Sequence, residues 1–309
     1  MIEIRRILCP IDFSDFSRRG LDHAAAIAKW YDAAVTVFHV SSIVPTAAYA
    51  PGSPVLPSMV LTEQDRDELL MAMKQFAAVD AGSPLQFECA EGSAATEILA
   101  KADGMRADLL VMGTHGRSGF ERLVLGSVTE KVLRKATCPV LSVPRRVPGA
   151  VSPQVLFKRI LCAVDFSDCS MRALNYAMSL AQEADARLTV VHVVELLTRP
   201  PDLHETTGGG PRSLEEYLAA AEDDARERLT AAVPDTVRAY CAVETVVARD
   251  KPYGEILRIA SEQASDLIVI GIHGRGAVDL MFFGSTAQHV VRRASCPVLT
   301  LLKNAASED

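Results

Sequence analysis

Short runs of consecutive apolar residues alternate along this chain with longer stretches whose apolar positions recur every three or four residues. Residues 7–11 are apolar throughout and stop at Asp12. An unbroken run of that length predicts a strand buried on both faces, as in a parallel sheet. Residues 14–31 follow, with Leu21, Ala24, Ala25, Ile27 and Ala28 on one helical stripe. The same alternation predicts strands at 35–40, 85–90, 109–112 and 140–143, and helices from Thr62, at 94–105 and at 127–135. Thr62-Glu63-Gln64-Asp65 supplies a cap ahead of the stripe Leu69, Leu70, Met73, Phe76 and Ala77. Further strands fall at 160–164, 188–193, 243–248, 267–270 and 298–301, with helices at 167–184, 213–232, 252–264 and 285–293. Pro252 sits in a first helical turn, where its missing N–H costs nothing. Strand and helix in alternation, with apolar strands, predict an α/β fold with helices on both faces of a parallel sheet.

The order of elements repeats because the sequence repeats. Arg6-Ile7-Leu8-Cys9-Pro10-Ile11-Asp12-Phe13-Ser14-Asp15 returns as Arg159-Ile160-Leu161-Cys162-Ala163-Val164-Asp165-Phe166-Ser167-Asp168, an offset of 153. Thr36-Val37-Phe38-His39-Val40 returns as Thr189-Val190-Val191-His192-Val193 at the same offset. Cys138-Pro139-Val140-Leu141 is matched by Cys296-Pro297-Val298-Leu299 at an offset of 158, so five added residues lie in the loops or middle helices between. Solenoid repeats run about 20–50 residues, so a period this long is a domain duplication. Each half is long enough to build its own core. The expected domains are 1–148 and 149–309, joined by the Arg-, Pro- and Gly-rich stretch from Pro144 to Pro153.

Composition narrows the function classes. The 309 residues are 49% hydrophobic and 23% charged, an ordinary globular balance. A net charge of −7 and a pI near 5.6 argue against nucleic acid as a partner, which needs a basic footprint. No apolar run approaches the roughly 18 residues of a membrane span, and Asp12 and Asp15 interrupt the first apolar stretch too early for a signal peptide. The expected setting is the cytoplasm, without a membrane partner. The seven cysteines show no metal-pair spacing and read as small buried hydrophobes; Cys169, in a first helical turn, is the one expected to be exposed.

The repeated loop carries the candidate chemistry. Gly113-Thr114-His115-Gly116 is separated by nine residues from Gly126-Ser127, and Gly271-Ile272-His273-Gly274 by nine from Gly284-Ser285. Glycines so spaced let backbone approach a ligand, and the closing Gly-Ser opens a helix whose free N–H groups favour an anion. In parallel sheets ligands bind beyond the carboxyl ends of the strands, where strand order reverses. With an order of 3-2-1-4-5, Asp12 and Gly113 end neighbouring strands at that point and face one crevice. Phosphates would rest on the glycine loop, with Arg117 or Arg275 as cationic partner. Asp12 and Asp165 would accept bonds from ribose hydroxyls, and Val40 and Val193 would contact a base. A side chain at Gly126 or Gly284 would fill the space the phosphates need. This describes a nucleoside polyphosphate site in each half. Other readings stay open: Ser127 and Ser285 begin Ser-x-x-Glu130 and Ser-x-x-Gln288 patterns and could be capping boxes, and the two acids could simply cap the next helix. His115 and His273 are solvated or near phosphate, whereas His39 and His192, in strands, read as satisfied core histidines.

With Asp12, the Gly-x2-Gly-x9-Gly-Ser loop and the Cys-Pro-Val strand entry in place, the chain resembles the universal stress protein family, as a tandem member of its ATP-binding branch. The resemblance runs from about Ile4 to Lys303. It implies two doubly wound domains of five parallel strands in the order 3-2-1-4-5, Rossmann-like and similar to adenine nucleotide alpha hydrolases. It also implies one ATP or related adenine nucleotide per domain. Carried over by position, the first site comprises Asp12, Val40, Met112, Gly113, His115, Gly116, Arg117, Gly126, Ser127 and Val128. The second comprises Asp165, Val193, Ile270, Gly271, His273, Gly274, Arg275, Gly284, Ser285 and Thr286. Pairing through the last strand is implied too, giving an internal pseudo-dimer and further homo-oligomers. Ala163 in place of Pro10 and the connection Gly208-Gly209-Gly210-Pro211 distinguish the second half.

Neither a Gly-x4-Gly-Lys-Ser/Thr loop nor a kinase signature set is present, and no nucleophile is paired with a base and an orienting acid. No catalytic or metal-binding residue is therefore assigned. The favoured reading is a nucleotide-dependent stress-response or signalling protein in which ATP shifts loop conformation or assembly. The alternative is a slow magnesium-dependent ATPase, using Asp12 or Asp165 with the metal and His115 or His273 near the phosphates.

Overall fold

The computed structural model describes residues 2–41, 62–77, 84–114, 125–144, 157–195, 213–273 and 283–302. The chain divides into two compact units, one carried by Glu3–Arg145 and the other by Leu156–Asp309.

In the first unit the order is β1 (Arg6–Ile11), α1 (Asp15–Tyr31), β2 (Ala34–Ser41), α2 (Glu63–Phe76), β3 (Leu85–Glu91), α3 (Ala94–Gly104), β4 (Leu109–Gly113), α4 (Ser127–Lys135) and β5 (Val140–Val143). The strands are parallel in the order β3-β2-β1-β4-β5. Register places Ile7 beside both Val35 and Leu109, so β1 is central. Leu8, Val35, Val37, Leu110 and Val111 are fully buried. Consecutive buried positions are what a strand covered by helices on both faces requires.

The second unit repeats this plan with β6 (Arg159–Ala163), α5 (Asp168–Ala184), β7 (Arg187–Val194), α6 (Leu214–Ala232), α7 (Asp235–Tyr240), β8 (Val243–Arg249), α8 (Pro252–Glu262), β9 (Leu267–Gly271), α9 (Ser285–Arg293) and β10 (Val298–Leu301). Its parallel order is β8-β7-β6-β9-β10. Leu161, Leu188, Leu267 and Ile268 are buried in full. Each such side chain contributes about 1.5–3 kcal/mol relative to leaving it in water.

One helix departs from the sequence reading. The segment after Val233 forms α7, with Pro234 as its N-cap and Val237 buried. Six residues are too few to show a helical period. At the amino ends of the strands, each unit uses one carboxylate to tie its central strand to its neighbour. Asp108 accepts the backbone N–H groups of Arg5 and Arg6 at 2.9 and 2.8 Å, and Asp266 accepts those of Lys158 and Arg159 at 2.9 and 3.0 Å. These ties lie at the opposite ends of the strands from Asp12 and Asp165. Strand order reverses between β1 and β4 and between β6 and β9.

Candidate functional site

The turn after the central strand is built the same way in both units. Asp12 follows β1, and its Oδ1 accepts from the Ser14 N–H at 3.1 Å and the Ser14 hydroxyl at 2.5 Å. Asp165 Oδ1 accepts from the Ser167 N–H at 3.0 Å and its hydroxyl at 2.5 Å. Ser14 and Ser167 are themselves the N-caps of α1 and α5, accepting from the amides of Ser17 and Ser170. The serines cap the helices, and each acid steers its serine. Phe13 and Phe166, next after the acids, sit at φ of 62° and 63°. A left-handed aromatic residue is strained and persists only where its surroundings dictate it.

Gly113 and Gly271 end β4 and β9, the strands beside β1 and β6. A Cβ on Gly113 would lie 2.9 Å from the Cβ of Phe16, and one on Gly271 would lie 3.0 Å from the backbone of Cys169 and Ser170. Glycine here lets the first turn of α1 or α5 pack against the strand end. The base of each loop is closed by a backbone bond, Gly126 N–H to the Thr114 carbonyl at 2.9 Å and Gly284 N–H to the Ile272 carbonyl at 3.0 Å. These glycines are the N-caps of α4 and α9, and among the described residues no side chain caps either helix. The capping boxes suggested by Ser-x-x-Glu130 and Ser-x-x-Gln288 do not form, because Ser127 and Ser285 are the first helical residues. Uncapped first-turn amides, with the positive end of the helix dipole, suit an anion. His115, Gly116, Arg117, Gly274 and Arg275 lie outside the described residues.

In the second unit these parts enclose a cleft of about 790 Å³. Asp165, Val193, Ile270, Gly271, His273, Gly284, Ser285 and Thr286 all line it. The Ser167 hydroxyl also reaches the His273 carbonyl at 3.3 Å, joining the acid's turn to the start of the glycine loop. In the first unit the same elements bring Asp12, Met112, Gly113, Gly126, Ser127 and Val128 to the β1 and β4 ends, while Val40 lies one strand over, near the end of β2.

The sequence profile of the universal stress protein family matches residues 3–144 and again residues 156–301. The chain belongs to the universal stress protein family. A universal stress protein of Methanocaldococcus jannaschii is 40% identical over 142 residues, 46% of this chain and 82% of its own length. One from Mycolicibacterium smegmatis is 26% identical over 304 residues, 96% of each chain. Among solved structures, a universal stress protein of Archaeoglobus fulgidus is similar in fold, with a TM-score of 0.64 and 23% identity across 98% of this chain and 100% of that one.

In this universal stress protein, sequence reasoning missed the wall that α6 supplies. Tyr217, Asp224 and Arg228 line the second cleft. The Arg228 guanidinium lies 3.9 Å from the centre of the Phe166 ring and pairs with Asp224 at 3.4 Å. Arg249 on β8 holds that helix through ion pairs with Glu222 and, at 2.8 Å, with Glu215. The first unit solves the same contact with carbon: Phe76 meets Phe13 edge-on, at 5.4 Å and 78°. No local pattern signals that α6 would face the cleft. Cys169 is a correction. It is buried, its thiol bonds to the Leu301 carbonyl at 2.8 Å, and burial raises its pKa, so it is no exposed nucleophile. All seven cysteines are free.

Proposed function

We propose that each unit of this universal stress protein binds one adenine nucleotide, ATP in the simplest case, and acts as a nucleotide-dependent stress-response protein. The observation carrying this reading is the repetition, at both strand-order reversals, of a serine-steered acid after the central strand and, after the neighbouring strand, a helix N-terminus that no described side chain caps. The helix end takes the phosphates. Asp12 or Asp165 accepts from the ribose hydroxyls, and the apolar end of β2 or β7 meets the base. Denaturing the purified protein and separating what it releases tests this: adenine nucleotide is expected, and release of none from protein purified without depletion, with no uptake of added ATP, contradicts it.

Hydrolysis is a separate question, settled by incubation with labelled ATP and magnesium. Turnover lost in His115→Ala plus His273→Ala would move the protein to the ATPase alternative. Self-association of whole chains belongs to the same proposal and is read by light scattering with and without ATP.

The two sites should differ. Arg228 lies against Phe166 and lines the second cleft, whereas in the first unit Phe76 meets Phe13 and Arg18 lies over Phe76 at 5.7 Å. With the first site disabled by Asp12→Ala, Arg228→Ala is expected to weaken ATP binding about fivefold, the loss of one partly exposed cation contact worth ~1 kcal/mol. Calorimetric titration checks it.

A further inference from the structure

We propose that His39 and His192 are positioning residues that set the turns presenting Asp12 and Asp165. Nδ1 of His39 lies 2.8 Å from the Ile11 carbonyl, and Nδ1 of His192 lies 2.7 Å from the Val164 carbonyl. A carbonyl only accepts, so in both rings Nδ1 carries the proton and donates. The bonded carbonyl belongs to the residue just before the acid. The residue just after it is held by the same ring: His39 lies 4.9 Å from the Phe13 ring centre, and His192 lies 4.7 Å from that of Phe166. One imidazole therefore grips both neighbours of each carboxylate, and the gripped aromatic residue is the one in the left-handed conformation. That conformation needs such over-determination. Once set, the turn lets Oδ1 collect the N–H and hydroxyl of the cap serine.

The arrangement occurs twice in surroundings that differ. Pro10 becomes Ala163, and Phe76 against the aromatic ring becomes Arg228. The affinity arm of the test rests on the nucleotide reading; the spectroscopic arm does not.

The experiment compares His192→Asn and His192→Phe in the full chain. Asn can place an amide N–H where Nδ1–H stands, whereas Phe keeps the ring and loses the donor. In amide proton–nitrogen spectra of the nucleotide-free protein, the Ser167 cross-peak reports its bond to Asp165. His192→Phe is expected to shift that peak as Asp165→Ala does, and His192→Asn to leave it near the wild-type position. With the first site disabled by Asp12→Ala, His192→Phe is expected to lower ATP affinity about tenfold, and no further when added to Asp165→Ala. If His192→Phe lowers the melting temperature while the Ser167 peak and ATP affinity stay put, the histidine only packs and the proposal fails. Effects of His192→Phe and Asp165→Ala that multiply, or a His192→Asn protein whose Ser167 peak moves as in Asp165→Ala, overturn it as well. Should wild type bind no ATP, the nucleotide reading falls while the Ser167 peak still decides this one.

Discussion

Between pH 6.5 and 4 the first unit is expected to lose about 3 kcal/mol of stability through His23 alone. His23 lies on the buried face of α1, with Nδ1 2.8 Å from the Arg19 carbonyl. Burial, which disfavours the charged ring, lowers its pKa to about 4; the bond to the Arg19 carbonyl opposes this, and the Arg19 charge adds to it. The unfolded chain titrates near 6.5, so in this window it binds a proton that the folded unit refuses. Stability from this group is whole above pH 6.5, falls as pH drops, and falls no further below about 4. The position matching His23 in the second unit is Tyr176, so the effect belongs to the first. Trp30, the one tryptophan, lies on α1 and reports that unit by fluorescence. Urea titrations followed at Trp30 should show a steeper fall of stability with acid in wild type than in His23→Gln. Parallel curves for the two proteins would remove His23 from the account.

Gly284→Ala is expected to destabilise the second unit by about 3 kcal/mol, lowering its melting temperature by roughly 5–10 °C before any ligand is considered. An added Cβ would lie 2.4 Å from the Ile272 carbonyl oxygen, the acceptor that closes the base of the loop. Backbone cannot swing aside as a flexible side chain can, so the bond or the helix start must shift. Gly254 is the matched control. Nothing lies within 4 Å of a Cβ there, and α8 should gain up to about 1 kcal/mol from Gly254→Ala through helix propensity. Calorimetric melting of the two variants should move in opposite directions. Loss of ATP binding in Gly284→Ala would thus mix two causes, which makes Asp165 the cleaner place to probe the ligand.

The same glycine shows where the sequence is informative and where it falls short. Its recurrence at fixed spacing was legible, and so was the helix it opens; Ser285–Arg293 and Ser127–Lys135 begin and end where the pattern places them. What spacing cannot show is which atom occupies the room a side chain would need, and here the nearest is the chain's own carbonyl. The parallel sheets were legible because strands buried on both faces are written as unbroken apolar runs. The box at Thr62 forms, with Asp65 answering the Thr62 amide at 2.9 Å, whereas those at Ser127 and Ser285 do not. Ser-x-x-Glu cannot say whether its serine is the cap or the first helical residue; the backbone of the preceding glycine decides that. His39 and His192 are satisfied, as strand histidines should be, yet their grip on the acid turns depends on a left-handed Phe that no periodicity encodes. Arg228 lies 62 positions beyond Phe166 in the chain, and a contact of that range leaves no local trace.

Equilibrium dialysis against labelled ATP tests the central claim most directly, using wild type, Asp12→Ala, Asp165→Ala and the double variant. Two nucleotides per chain in wild type, one in each single variant at matched free ATP and none in the double variant is the result this account predicts. Wild type that binds none at saturating ATP, or a double variant that still holds two, would contradict it.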